Sequence, residues 1–211
     1  AAQAMLYALN LSKNDLKKPQ IGIGSVWFES NPCNSKLNDL SQIIKKSLLD
    51  TNLLPFRFSS PGVSDGISMG TYGMKYSLPS RELIADNFES ITIAHHYDGL
   101  ICVPGCDKNL PGVLIAMCRI NRPSFIIYGG SMPPSNVNNL ETDIVTAFEG
   151  YGSLLKNKIT DNEYENIIQN CCNKQGGSCS GLYTANSMAS IFEVMGLTLP
   201  NSSSNPSMSK E

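Results

Sequence analysis

The sequence predicts an α/β protein whose largely parallel sheet is flanked by helices. Short apolar runs of strand length alternate with longer stretches of helical periodicity, the order that strand–helix–strand units impose on a parallel sheet. Loops bearing glycine or proline follow several of these runs. They fall where open α/β sheets bind ligands, beyond the carboxyl ends of the strands. At 211 residues, the chain suits one domain or a large part of one.

Taken in order, residues 1–11 read as a helix with Met5, Leu6 and Leu9 on one side, and its abrupt apolar start suggests further sequence upstream. Ile21–Trp27 reads as a buried strand, followed by a turn at Asn31-Pro32. Leu37, Leu40, Ile44 and Leu48 recur at helical spacing and predict an amphipathic helix over 36–50. Leu53–Phe58 is a short strand. Residues 59–80 carry four glycines and two prolines, too irregular for an element and too long for a plain connection, so they form a candidate functional loop. A helix over 80–95 buries Ile84, Phe88 and Ile91. Strand 99–103, helix 110–119 and strand 124–128 follow. Pro111 suits the first turn of its helix, where a missing N–H costs little. A polar loop runs to Asn139, and a helix over 142–156 is expected to turn Val145, Phe148 and Leu155 inward. Thr160 with Glu163 is a capping box. Met188, Ile191, Phe192 and Met195 stripe the last helix, which Gly196 closes.

Net charge is −2, with no basic footprint for nucleic acid or an anionic membrane. No apolar run reaches the length of a membrane span. The seven cysteines, an odd number, do not suggest a disulfide framework. Cys33, Cys106 and Cys179 lie in loops, whereas Cys102 and Cys118 fall within strand and helix patterns and read as core residues. Three thiolates holding an iron–sulfur cluster leave one iron position open, which a Lewis acid requires. Cysteine spacing alone does not separate this from core packing, because no C-x-x-C pair is present. Asp65 and Asp107, in separate loops, are candidate hard-metal ligands, although lone loop aspartates are more often turn formers. Cys106-Asp-Lys108 joins a soft thiol, a hard carboxylate and an amine in three consecutive residues.

These stretches also carry a resemblance. The runs Asn31-Pro-Cys-Asn34, Gly62-Val-Ser-Asp-Gly-Ile-Ser-Met-Gly70 and Lys75-Tyr-Ser-Leu-Pro-Ser-Arg-Glu82 resemble the N-terminal part of the dihydroxy-acid dehydratases. So do Cys106-Asp-Lys-Asn-Leu-Pro-Gly112, Tyr183-Thr-Ala-Asn-Ser-Met188 and Ser202-Ser-Ser-Asn-Pro206. The resemblance implies a [2Fe-2S] cluster on Cys33, Cys106 and Cys179, and Mg2+ on Asp65, Asp107 and a carbamylated Lys108. It implies dehydration of 2,3-dihydroxy carboxylates, small-molecule substrates, to 2-keto acids in valine and isoleucine synthesis.

Residues 1–211 are then expected to be a partial N-terminal domain of a two-domain dehydratase. Its C-terminal domain, with a further magnesium-binding glutamate and the proton-accepting serine, lies outside the stretch. No catalytic base is assigned within it, and the stretch alone is expected to be inactive. The family implies a homodimer, in a mitochondrion or plastid if eukaryotic and in the cytoplasm if bacterial. The alternatives are a sugar-acid dehydratase and a non-catalytic cluster- or zinc-binding fragment. The sequence departs from the family at Cys172–Cys179, which is one residue longer and lacks its proline. It also has Ser180 for glycine and Lys36 for histidine.

Overall fold

A computed structural model describes residues 1–210. Four strands, β1 (Gln20–Ser25), β2 (Leu54–Ser59), β3 (Gly99–Val103) and β4 (Ser124–Ile126), form one sheet in the order β2-β1-β3-β4. Every pairing in it is parallel, with Ile23 opposite both Arg57 and Ile101. The chain leaves β1 toward one edge and returns past it to reach β3, so the strand order reverses between β1 and β3. Right-handed crossovers then require helices on opposite faces of the sheet. Accordingly, α2 (Leu37–Leu49) packs Leu37 and Ile44 against Ile23 and Val103. On the other face, α4 (Ser77–Ala94), α5 (Asn109–Ile120) and α8 (Thr184–Val194) bury Ile84, Phe88, Leu110, Val113 and Phe192 with Leu100 and Ile126.

Alternation in β1 explains its two faces. Ile23 points to α2, and Gly24 leaves room on the other side for aromatic rings. A Cβ on Gly24 would meet the Phe58 ring at 2.5 Å, and Phe58 lies edge-on to Phe88 with centroids 5.0 Å apart. The α5 helix carries Pro111 in its first turn and ends at Asn121 in a left-handed conformation (φ 48), as the C-terminal residue of a helix commonly does.

The remaining chain runs from α1 (Ala2–Tyr7) at the start, through α3 (Asp65–Ser68) after β2, to β5 (Ser135–Val137), β6 (Leu140–Thr142), α6 (Ile144–Leu155) and α7 (Asp161–Asn170). The β5–β6 hairpin was not expected from sequence. Its two-residue connection, Asn138-Asn139, has positive φ at both positions, the twist that suits a tight hairpin. The Thr160–Glu163 capping box is present as read from sequence. No helix is long and apolar enough to cross a membrane among the described residues.

Three expectations of burial are corrected. Cys118 is exposed, because the buried stripe of α5 runs through residues 110, 113, 116, 117 and 120 and passes it by. Phe148 and Leu155 of α6 are exposed, and only Gly150 of that helix is buried. In α8 the face toward α5 consists of Ala185, Ala189 and Phe192, which leaves Ile191 and Met195 exposed.

Candidate active site

The loops at the carboxyl ends of the strands converge beside the point where strand order reverses. Cys33 follows β1, Asp65 follows β2, and Cys106 and Asp107 follow β3, while Met132 lies on the segment after β4. Cys179 arrives from the end of the chain by pairing with that segment. The Met132 N–H donates to the Ser178 carbonyl (2.7 Å), and the Ser178 N–H donates to the Gly130 carbonyl (2.9 Å). Cys33, Cys106, Cys179, Asp65 and Asp107 line one cavity of about 670 Å³.

Glycines let these loops touch. A Cβ at Gly105 would strike the Cys33 carbonyl oxygen, well inside van der Waals distance. A Cβ at Gly176 (φ +76) would lie 2.7 Å from the Pro32 carbonyl oxygen, which also accepts the Gly177 N–H at 3.0 Å. The backbones carrying Cys106 and Cys179 are therefore seated directly on the backbone carrying Cys33. Glycine beside each cysteine was visible in the sequence, but its partner across the site was not.

The thiols interact with one another. The neighbouring thiols of Cys106 and Cys179 push the Cys33 pKa far up, and burial adds to the rise. The Cys33 thiol in turn draws Cys106 and Cys179 below the ordinary thiol value, against the opposing effect of burial. Three soft sulfur donors, two of them drawn toward the thiolate, fit an iron–sulfur cluster held by three cysteines. Cys102, by contrast, lies fully buried in β3, where burial raises its pKa. Cys172 also lines the cavity, and burial first, then the neighbouring Cys171, pushes it up to about 12. Its sulfur lies 4.0 Å from that of Cys171.

Beside the thiols stands the hard-donor group. Asp65 is buried at the start of α3, with Ser77 Oγ donating to its Oδ1 (2.5 Å) and Lys108 Nζ to its Oδ2 (2.5 Å). Asp107 is raised above the ordinary carboxyl value by burial first and then by the charge of Asp65. Asp107, whose charge is disfavoured by burial and by a neighbouring carboxylate, suits a divalent cation, so the chemistry of the pair fits magnesium. No three His, Cys, Asp or Glu side chains already form one ion's ligand set among the described residues. Asp65 is engaged by Lys108 and Ser77, and the thiols by one another.

Sequence reasoning missed the apolar part of the cavity lining. Ile67 and Met69 after β2, Met132 after β4, and Ile144 and Phe148 from α6 present apolar side chains to the cavity. Phe148, expected in a core, faces this space instead. Asn31 and Ser77 were also missed as individuals, because an asparagine in a turn and a serine before a helix have bland local explanations.

Residues 18–211 match the family described as dihydroxy-acid/6-phosphogluconate dehydratase, N-terminal. The chain belongs to this family. It is 53% identical over 213 residues to the mitochondrial dihydroxy-acid dehydratase ilvC of Aspergillus fumigatus, covering all of this chain and 35% of that protein. It is 53% identical over 211 residues to the dihydroxy-acid dehydratase of Francisella tularensis subsp. novicida, covering all of this chain and 38% of the other. With the mitochondrial dihydroxy-acid dehydratase of Saccharomyces cerevisiae, identity is 52% over 217 residues, covering all of this chain and 37% of the other. The chain thus spans 35–38% of the length of these relatives.

Proposed function

We propose that this chain carries the metal-binding half of a hydro-lyase active site that dehydrates 2,3-dihydroxy carboxylates to 2-keto acids. The observation that carries the reading is the convergence of Cys33, Cys106 and Cys179 with Asp65 and Asp107 on one cavity. In this reading the three cysteines hold a [2Fe-2S] cluster. Asp65, Asp107 and Lys108, the last as its carbamate, hold Mg2+. When bound, these groups supply Lewis acidity, the cluster toward the C3 hydroxyl and magnesium toward the carboxylate and C2 oxygen.

The protein's own residues do the rest. Cys106 and Asp107 are adjacent in sequence and both line the cavity, so a soft and a hard donor stand side by side there. Gly105 allows that turn to press against the Cys33 loop. Ile67, Met69, Ile144 and Phe148 offer apolar surface to the alkyl groups on C3. Loss of the C2 proton and the C3 hydroxyl leaves an enol, which tautomerises to the 2-keto acid. The residue taking the C2 proton is not assigned within 1–211, and the family resemblance puts it in a C-terminal part.

The apolar wall favours a branched-chain dihydroxy acid, as in valine and isoleucine synthesis, over a polyhydroxylated sugar acid, whose hydroxyls would lose their hydrogen bonds against it. A homodimer is proposed on family resemblance. For a eukaryotic source we propose the mitochondrion, the compartment in the names of the Aspergillus and Saccharomyces relatives. The test is anaerobic formation of 2-ketoisovalerate from 2,3-dihydroxyisovalerate, by this chain alone and by the chain joined to a relative's C-terminal part. An aldonic acid serves as the competing substrate. The reading expects iron- and magnesium-dependent turnover of the branched acid by the joined protein. Preference for the aldonic acid would overturn the substrate class, and turnover without iron would overturn the cluster.

A further inference from the structure

Behind the thiols lies a chain of three buried asparagines that the proposed reaction does not use. Asn31, in the loop after β1, is 1% exposed, and Asn34 and Asn109 are fully buried. Their amide orientations follow from one another. Asn34 Nδ2 donates to the Val26 carbonyl, which can only accept, so the Asn34 nitrogen is identified. That same nitrogen reaches Asn109 Oδ1 at 2.7 Å. Asn34 Oδ1 is then the group facing Asn31 and must accept from Asn31 Nδ2, at 2.7 Å. One N–H of Asn31 is thereby committed, and its second points at Cys106 Sγ, 3.3 Å away. Asn31 Oδ1, on the other side, accepts the backbone N–H of Cys33 at 3.4 Å. A single side-chain amide thus touches the sulfur of one cysteine and the backbone of another, with its orientation imposed from behind.

We infer that Asn31 is a positioning residue for the thiolate centre: it presents Cys106 in register with Cys33 and, by donating N–H to its sulfur, sets the electron density that sulfur passes to a bound iron. The inference rests on the cluster reading above. A hydrogen bond to a ligand sulfur withdraws charge from it, which stabilises the reduced cluster and makes the iron a stronger Lewis acid. An amide suits this role because it donates without adding a charge to the buried site.

The test uses the full chain, reconstituted anaerobically with iron and sulfide, in four forms: wild type, Asn31→Asp, Asn31→Ala and Asn109→Ala. Asn31→Asp keeps the shape and loses the donor but adds a charge, and Asn31→Ala loses the donor without one. Asn109→Ala damages the same buried chain without adding a charge and leaves Asn34 Oδ1 to accept from Asn31. Iron and sulfide are counted first, then the reduction potential and the iron–sulfur stretching bands are recorded. Both Asn31 variants should shift the potential to more negative values and move the bands, while Asn109→Ala costs stability and leaves both near wild type. Loss of the cluster from both Asn31 variants alone would support the same role through presentation of Cys106. Full clusters with unchanged potentials, or an equal shift in Asn109→Ala, would overturn the inference. A wild-type chain that takes up no iron would overturn the cluster reading beneath it.

Discussion

Replacing Gly176 by alanine tests whether the Cys179 loop is seated on the Cys33 loop. Gly176 has φ +76, a conformation that costs an L-residue about 1–2 kcal/mol. Its new Cβ would also lie 2.7 Å from the Pro32 carbonyl oxygen, closer than real Cβ contacts come, and a backbone oxygen cannot rotate away. Overpacking of this kind adds roughly 1–3 kcal/mol. A sum of about 3 kcal/mol corresponds to a Tm lowered by roughly 6–12 °C for a chain of this size. Gly196 supplies the control, with φ +70 and nothing within 4 Å of its Cβ. Gly196→Ala should therefore cost only the conformational part, about 1–2 kcal/mol. Urea denaturation of both variants isolates the contact, because their φ angles nearly match. Gly176→Ala should also retain less iron after reconstitution, since Cys179 is carried out of register with Cys33. Equal destabilisation by the two substitutions would refute the contact and the loop seating built on it.

Three further outcomes are expected. Cys106→Ala should abolish iron uptake, and Cys118→Ala, at an exposed position on α5, should leave the iron and sulfide content unchanged. Lys108→Arg should lose magnesium affinity and its dependence on bicarbonate, measured by calorimetry, because arginine keeps the positive charge yet cannot form the carbamate. Glu163 is held below its usual 4.5 by the Thr160 backbone N–H and hydroxyl. Its folded form thus binds a proton less readily than its unfolded form, so its contribution to stability is present above pH 4.5 and is lost as pH falls through the lower folded value. Glu163→Gln should flatten that acid limb in denaturation curves taken at successive pH values.

The alternation of strands and helices was legible because each strand of a parallel sheet is buried on both faces and reads as an apolar run. The Thr160 capping box was legible because both partners lie within one turn. The β5–β6 hairpin escaped notice because its strands are only three residues each and largely polar. Its Asn138-Asn139 connection was the available signal. Apolar periodicity misplaced Phe148 and Leu155 of α6 and Ile191 and Met195 of α8, while Met188 and Phe192 do pack against the core. In α6 only Gly150 is buried, so its larger residues face solvent or, as with Phe148, a cavity. The candidate ligands were legible by residue type and by family resemblance. Their neighbours Asn31 and Ser77 were not, because their role depends on partners far along the chain.

The strand order explains why those neighbours matter. With β1 and β3 adjacent and their following helices on opposite faces, the loops after them part and leave a crevice. Cys33 stands on one side of it and Cys106 on the other, so the fold by itself separates the two thiols. Three features close the gap: Gly105 presses against the Cys33 carbonyl, Gly176 against the Pro32 carbonyl, and the Asn31 amide spans from the Cys33 backbone to the Cys106 sulfur. Asp65 enters from the loop after β2 and is tied back by Lys108, which follows β3. Each contact joins loops from different strands, and none contributes to the sheet. Substitutions at these positions should therefore disturb the geometry of the thiols and carboxylates well before they disturb the α/β scaffold.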